Sequence, residues 1–356
     1  MLVTCAKEDP NIYSETIGYK LIHFADYEQK GVYVLDTRHF LKTTVYYFDF
    51  VSEGWSAAAD DSGLPPASRS VTANVASAFS YSRDSLLIIT GNGDFFYYDK
   101  VNHKWYSNSG GSQYYYYSNY HYSYYYSHKP YRYYLNTYDN QIYKTNLASF
   151  SYTNNDSIYF YKLINQTEWQ LSAVFVDDTA HNKFYLATIP VDKGRFMNIF
   201  RYEIIDHISE NPFERSFNIL IFNLLDSTSN YTGELYLDGY LPDRFYYLNG
   251  TIYFHNNFNA YNGNYEITGN YYAFYKIADN TPVKLGEDFS VMWDSDENIE
   301  NWNEIEYVLQ STSNLFLYND SFYFFIDDMV YKLSPGSSSW TKLSSIPFKT
   351  LNRKTE

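Results

Sequence analysis

The chain has 356 residues, a formal net charge of −15 and 45% hydrophobic residues, but 44 of those residues are Tyr. An aromatic content of 21% excludes an intrinsically disordered chain, which lacks rings to bury. A single cysteine, Cys5, excludes an intrachain disulfide framework and any multi-cysteine metal site.

The N-terminus, from Met1 to Ile17, lacks a basic segment followed by a long apolar run, so it reads as a lead-in rather than a signal peptide. No later stretch approaches the length of apolar sequence that a membrane-spanning helix needs, so membrane insertion is not expected.

Beyond the lead-in the chain repeats itself. Six segments share a turn-type dipeptide or tripeptide, then an apolar residue, usually Tyr, and a strand-like run. They are QKGVYV from Gln29, RDSLLI from Arg83, DNQIYK from Asp139, HNKFYL from His181, NGTIYF from Asn249 and NDSFYF from Asn319. Asn-Gly, Asn-Asp and Asp-Asn tolerate the positive φ of a tight hairpin turn, and the β-branched and aromatic residues after them suit a pleated strand. Taking Tyr33, Leu87, Tyr143, Tyr185, Tyr253 and Tyr323 as equivalents makes one unit about 58 residues long, the size of a four-stranded blade with variable loops.

A second element follows each of the first. Asp49 precedes Trp55 as Asp99 precedes Trp105, and later copies read YKLINQTEW from Tyr161, YKIADNTPV from Tyr275 and YKLSPGSSSW from Tyr331. The fourth copy is taken at FRYEII from Phe200. The pattern predicts a strand, a polar turn and an outer strand opening on a bulky ring. Trp55, Trp105, Trp169 and Trp340 are therefore expected at equivalent, largely buried positions. Helical periodicity is poor; one short helix is expected near Asn298 to Val308.

The stretches YYFDFVSEGW and FFYYDKVNHKW, with GLPPASRS from Gly63 and SPGSSSWTKL from Ser334, resemble the kelch type of β-propeller repeat. The paired glycines of that repeat are missing, and Gly91-Asn92-Gly93 is the nearest substitute. The resemblance implies an all-β fold, a six-bladed β-propeller of four-stranded antiparallel blades over residues 18–348, with a tail at 349–356. The interval from Phe200 to Asn249 leaves room for a seventh blade around Asn218 to Leu225. A sheet completed jointly by Ser334 to Phe348 and a strand from near the N-terminus is expected to close the ring, because an open ring exposes two edges.

Two segments stand out from the repeats. Gln113 to Tyr138 holds thirteen Tyr, and no acidic residue lies between Asp99 and Asp139, where Lys100, Lys104, Lys129 and Arg132 give a local charge of +4. Rings and cations in this pattern stack bases, stack sugars or anchor a protein chain; the same rings also pack on one another. The global charge works against nucleic acid. Tyr122, Tyr124, Tyr126, Lys129, Arg132 and Tyr133 are the candidate binding residues, with another protein chain as the partner, self-association included, and a glycan as the alternative. Leu285 to Tyr331 carries eleven carboxylates and no Lys or Arg. Its run from Asp294 places oxygens at alternate positions, but Ile299 and Ile305 stand where a calcium loop needs Gly and Glu.

Enzyme templates do not fit. Cys5 precedes the first blade and cannot serve a Cys–Tyr copper site within the ring. The eight His form no zinc-type pair, and there is no nucleophile elbow or phosphate-cradling glycine loop. No cofactor is expected. Carboxylate pairs brought together across blades are invisible in sequence. Sequons occur at Asn155, Asn165, Asn230, Asn249 and Asn319 and matter only on a secreted chain. The reading is a non-enzymatic interaction or scaffold module of a surface or particle assembly, with a glycan-binding or glycan-processing propeller as the runner-up.

Overall fold

The structure is a computed structural model that describes residues 21–36, 44–59, 75–90, 95–107, 132–146, 151–153, 157–164, 168–176, 183–202, 216–237, 242–261, 267–292, 313–326 and 328–347. The expected helix near Asn298 to Val308, Cys5 and both domain boundaries lie outside these residues. Every regular element among the described residues is a strand.

Blade 1 is β1 (Leu21–Ala25), β2 (Gly31–Asp36), β3 (Thr44–Asp49) and β4 (Gly54–Ala59), and blade 2 is β5 (Val75–Ser82), β6 (Ser85–Thr90), β7 (Phe95–Asp99) and β8 (Lys104–Ser107). Blade 3 uses β9 (Arg132–Asn136) and β10 (Gln141–Thr145), then, after β11 (Ser151–Thr153), β12 (Ile158–Ile164) and β13 (Glu168–Phe175). Blade 4 is β14 (Lys183–Asp192), β15 (Arg195–Tyr202), β16 (Ser216–Asn223) and β17 (Thr228–Tyr236), with β11 added to the inner edge of β14. Blade 5 is β18 (Arg244–Leu248), β19 (Thr251–Tyr261), β20 (Ile267–Ala278) and β21 (Thr281–Met292). Blade 6 is β22 (Ser313–Tyr318), β23 (Ser321–Ile326), β24 (Met329–Leu333) and β25 (Thr341–Ser345). All pairings are antiparallel, and the first strands touch in the order β1, β5, β9, β14, β18, β22 and back to β1. The molecule is a closed six-bladed β-propeller.

The second strand of each blade shows why this sequence stacks. It is covered on both faces, so its side chains alternate between two neighbours instead of between core and water. In β2, Val32 and Val34 enter a cluster shared with blade 6, while Tyr33 and Leu35 enter one shared with blade 2. In β6, Leu86 and Ile88 face blade 1, and Leu87 and Ile89 face blade 3. In β23, Tyr323 and Phe325 face blade 1, and Phe324 and Ile326 face blade 5. One buried cluster fills each seam, and a fully buried Val, Leu, Ile or Phe contributes about 1.5–3 kcal/mol.

Gly31 opens β2 where an added Cβ would overlap the Phe48 carbonyl oxygen and the Tyr47 hydroxyl. Gly31→Ala is expected to lower stability by about 1–3 kcal/mol, the cost of overpacking, read as a lower urea midpoint. An unchanged midpoint would contradict that close approach.

Three expectations need correction. The fourth repeat unit does not begin at Tyr185, which lies in the innermost strand β14. Its equivalent is Met197, third residue of β15 as Tyr143 is of β10, preceded by a turn that Gly194 makes at φ +60°. The partner element is not at Phe200 either: Asn223 ends β16 and accepts the Leu225 N–H (3.1 Å), as Asp49 accepts Val51 (2.9 Å) and Asp99 accepts Val101 (2.8 Å). The stretch Asn218 to Leu225 is therefore the third strand of blade 4 and its turn, and no seventh blade lies there.

Closure also differs. β25 pairs with β24, and all four strands of blade 6 come from the C-terminal part of the chain. The joint with blade 1 is made by side chains. The Trp55 indole N–H donates to Ser344 Oγ (3.0 Å), the Asn314 amide donates to the His23 carbonyl (3.2 Å), and Phe48 meets Phe325 edge-on at 5.5 Å. Aromatic burial makes strand exchange unnecessary here.

Trp55, Trp105 and Trp169 lie at the start of outer strands and Trp340 just ahead of β25, each packed against the preceding blade. Trp105 is 2% exposed, whereas Trp55, Trp169 and Trp340 are half-buried, because the outer rim of a blade leaves one edge of the ring to water.

Candidate functional site

Alternating strand directions give the ring two unlike faces. The turns between first and second strands and between third and fourth strands gather at one face, where they fasten adjacent blades. Arg83 pairs with Glu28 (3.3 Å), the Tyr27 N–H donates to Ser80 Oγ (3.1 Å), and the Gly194 N–H donates to Asp139 Oδ2 (3.1 Å). Phe50 stacks on Tyr318 at 5.3 Å across the closing seam.

Carboxylates organise these turns. Asp49 accepts the backbone N–H groups of Val51 and Ser52, and Asp99 accepts those of Val101 and Asn102. The Ser52 N–H holds the Asp49 carboxyl below its usual range; the Asn102 side chain does the same for Asp99. At the seam of blades 1 and 2, Asp26 accepts the Tyr47 hydroxyl (2.6 Å) and the Lys30 N–H (2.9 Å). The Lys100 ammonium lies 4.7 Å over the Tyr33 ring and donates to the Arg83 carbonyl (3.0 Å). Burial pushes Lys100 below its ordinary value and raises Tyr33 to about 12. At the closing seam, Glu53 accepts from both Lys332 and the Tyr323 hydroxyl. These groups satisfy one another, so the face works as a clasp.

The opposite face carries the remaining connections. Segment 108–131 runs from the end of β8 to the start of β9, and segment 293–312 from the end of β21 to the start of β22. The strand ends that flank them lie at that face; in sequence, the first segment bears most of the Tyr tract and the second most of the acidic run. Tyr122, Tyr124, Tyr126 and Lys129 lie outside the described residues. Arg132 opens β9, and Tyr133 follows it, 9% exposed, with its ring 5.7 Å from Trp169. Of the acidic stretch, Asp288 pairs with Lys284 (2.9 Å), and Glu287 accepts the hydroxyls of Ser338 and Ser339. Asp294 to Glu306 lies outside the described residues. Among the described residues no group of three His, Cys, Asp or Glu could hold a metal ion, and no helix is long and apolar enough to cross a membrane.

Sequence reasoning passed over one cluster at this face. His255 of β19 joins Asp243, just ahead of β18, to Tyr246 within it. The only signal was a histidine directly after the apolar run Ile252–Tyr253–Phe254 of β19.

Fold and clasp together define the class: a six-bladed β-propeller closed by side-chain seams. No protein-family model and no curated protein matches the sequence. Solved structures similar to it include a fungal lectin from Aleuria aurantia described as a six-bladed β-propeller with fucose recognition (11% identical, covering 93% of this chain and 96% of that one, TM-score 0.43). They also include the β-propeller domain of Cps50 (Swd1) from Myceliophteria thermophila (8% identical, 91% and 85% covered, TM-score 0.42). A third is Sqt1 from Saccharomyces cerevisiae (8% identical, 92% and 86% covered, TM-score 0.41).

Proposed function

We propose that the chain is a non-enzymatic recognition module, a kelch-like propeller that binds another protein chain at the face of its long connections. The observation that carries this reading is the division of the two faces. Tight, mutually satisfied turns close one, while the strand ends that flank the basic Tyr tract and the acidic segment lie at the other. Tyr supplies large contact area at low entropic cost, and long connections on a rigid frame are where propellers place recognition. Tyr122, Tyr124, Tyr126, Lys129 and Arg132 are the contacts, together with Tyr133, whose ring packs against Trp169. The partner is a copy of this chain whose acidic segment meets Lys129 and Arg132, a joint of opposite charges suited to a surface or particle assembly. The kelch resemblance of the blade 1 and blade 2 hairpins supports the reading.

The test replaces Tyr122, Tyr124, Tyr126 and Arg132 with Ser. The expected result is an unchanged thermal midpoint with self-association lost in sedimentation. Loss of binding on a glycan array, with association intact, would favour the glycan-binding reading, since a sugar ring stacks on Tyr as readily. Unfolding would make the tract part of the core.

A further inference from the structure

His255 is 0% exposed and walled by rings: Tyr246, Tyr272, Phe274 and Phe324 lie with centroids 5.8, 5.7, 5.3 and 5.7 Å away. Phe324 belongs to blade 6, so the imidazole is part of the seam between blades 5 and 6. Its Nε2 lies 3.1 Å from Asp243 Oδ2, and its Nδ1 lies 3.0 Å from the Tyr246 hydroxyl. An ionised carboxylate can only accept, so Nε2 carries the hydrogen and Nδ1 accepts from Tyr246. The Asp243 side chain is 48% exposed, and its N–H donates to the His255 carbonyl (2.9 Å). A chain of hydrogen bonds thus runs from a buried phenol, through a buried imidazole, to a carboxylate in water.

We propose that Tyr246, His255 and Asp243 form a proton-operated latch on the seam between blades 5 and 6. A proton taken from water binds Nδ1. The new N–H must then donate, so the Tyr246 hydroxyl has to turn from donor to acceptor and redirect its own hydrogen within a tightly packed wall. The imidazolium keeps its bond to Asp243 but now places a charge at a fully buried position, where it loses its hydration, and the seam loosens at the face of the long connections.

The groups around His255 act with unequal sign. Burial is the largest influence and holds the imidazole below its ordinary 6.5; Asp243 pulls it upward, and Arg244 on β18 pushes it down. Tyr272 is the titratable residue that β20 adds, and β23 contributes the apolar Phe324. With the folded value below the unfolded one, the unfolded chain binds more protons in this window. Stability is complete above about pH 6.5 and falls as the pH drops below it.

Trp340 reports on the same seam, 4.8 Å from Phe274 and 5.3 Å from Phe289. Its fluorescence, taken as the difference from a Trp340→Phe protein, is followed on the full chain between about pH 8 and pH 4.5. The expected result is a one-proton transition below pH 6.5, with far-UV circular dichroism unchanged, that is absent in His255→Gln. Asp243→Asn moves the midpoint down by about one pH unit, because the carboxylate no longer favours the cation. Tyr246→Phe also moves it down, because the buried imidazolium loses the acceptor of its Nδ1–H, a stronger bond than the one the neutral ring loses. A transition kept in His255→Gln, a midpoint raised by Asp243→Asn or Tyr246→Phe, or no transition in the parent before acid unfolding each overturns the latch. If His255→Gln or Asp243→Asn does not fold, the direction of the Tyr246→Phe shift decides.

Discussion

Ending the chain after Tyr331 unfolds the whole ring in one transition. The cut removes β25 and the last residues of β24, and with them cover from two seams at once. Blade 5 loses Trp340, which packs at a tilt against Phe274 and Phe289. Blade 1 loses Ile346, Leu343 and the Ser344 hydroxyl that accepts the Trp55 indole N–H, as well as Lys332, the partner of Glu53. Each blade buries its second strand only because both neighbours are present, so exposing one seam uncovers rings such as Phe48 and Phe325, which are fully buried. A propeller missing that cover has no smaller stable unit to retreat to. Circular dichroism and Trp fluorescence should report loss of structure together. A truncated chain that melts at the parent temperature contradicts closure through these side chains.

Trp105→Ala should cost about 3–5 kcal/mol, the range for removing a large core ring. Trp105 packs at a tilt against Tyr98, 5.0 Å between centroids, within the cluster that joins blade 2 to blade 1. Truncation leaves a void that the facing strands cannot close, because each is held by its own ladder. Alanine at Trp55, Trp169 or Trp340 should cost less, since their rings keep one edge in water. Urea unfolding of the four variants checks the ranking. A loss below about 1 kcal/mol at Trp105 would mean that this outer-strand position is not a wedge between blades.

Much of the ring was legible because its signals are local. A turn that demands positive φ, at Asn249, Asn319 or Asn140, is written in two or three residues, and so is the Asx turn that opens each outer strand at Asp49 or Asp99. The same locality explains the error at the fourth unit. HNKFYL satisfies the pattern, yet it falls on an innermost strand, and the true hairpin turns on Lys193 and Gly194 with no Tyr after them. Gly194, at φ +60°, marks that turn in place of the Asn that the third, fifth and sixth units carry.

By itself, then, the sequence determined an all-β chain of six repeated units, the positions of the outer-strand tryptophans, and the two segments of opposite charge. Those follow from two-residue periodicity, turn chemistry and composition, which need no knowledge of neighbours. The tertiary structure alone decided which neighbour each side chain meets. It placed Val32 and Tyr33, adjacent in sequence, in different seams, and it closed the ring through Trp55 and Ser344 instead of a shared sheet. It also brought Asp243 and Tyr246 onto His255 through the antiparallel register of β18 with β19. The reason is physical: a blade has two buried faces, and the choice between them is made by closing the ring, where distant residues first come into contact.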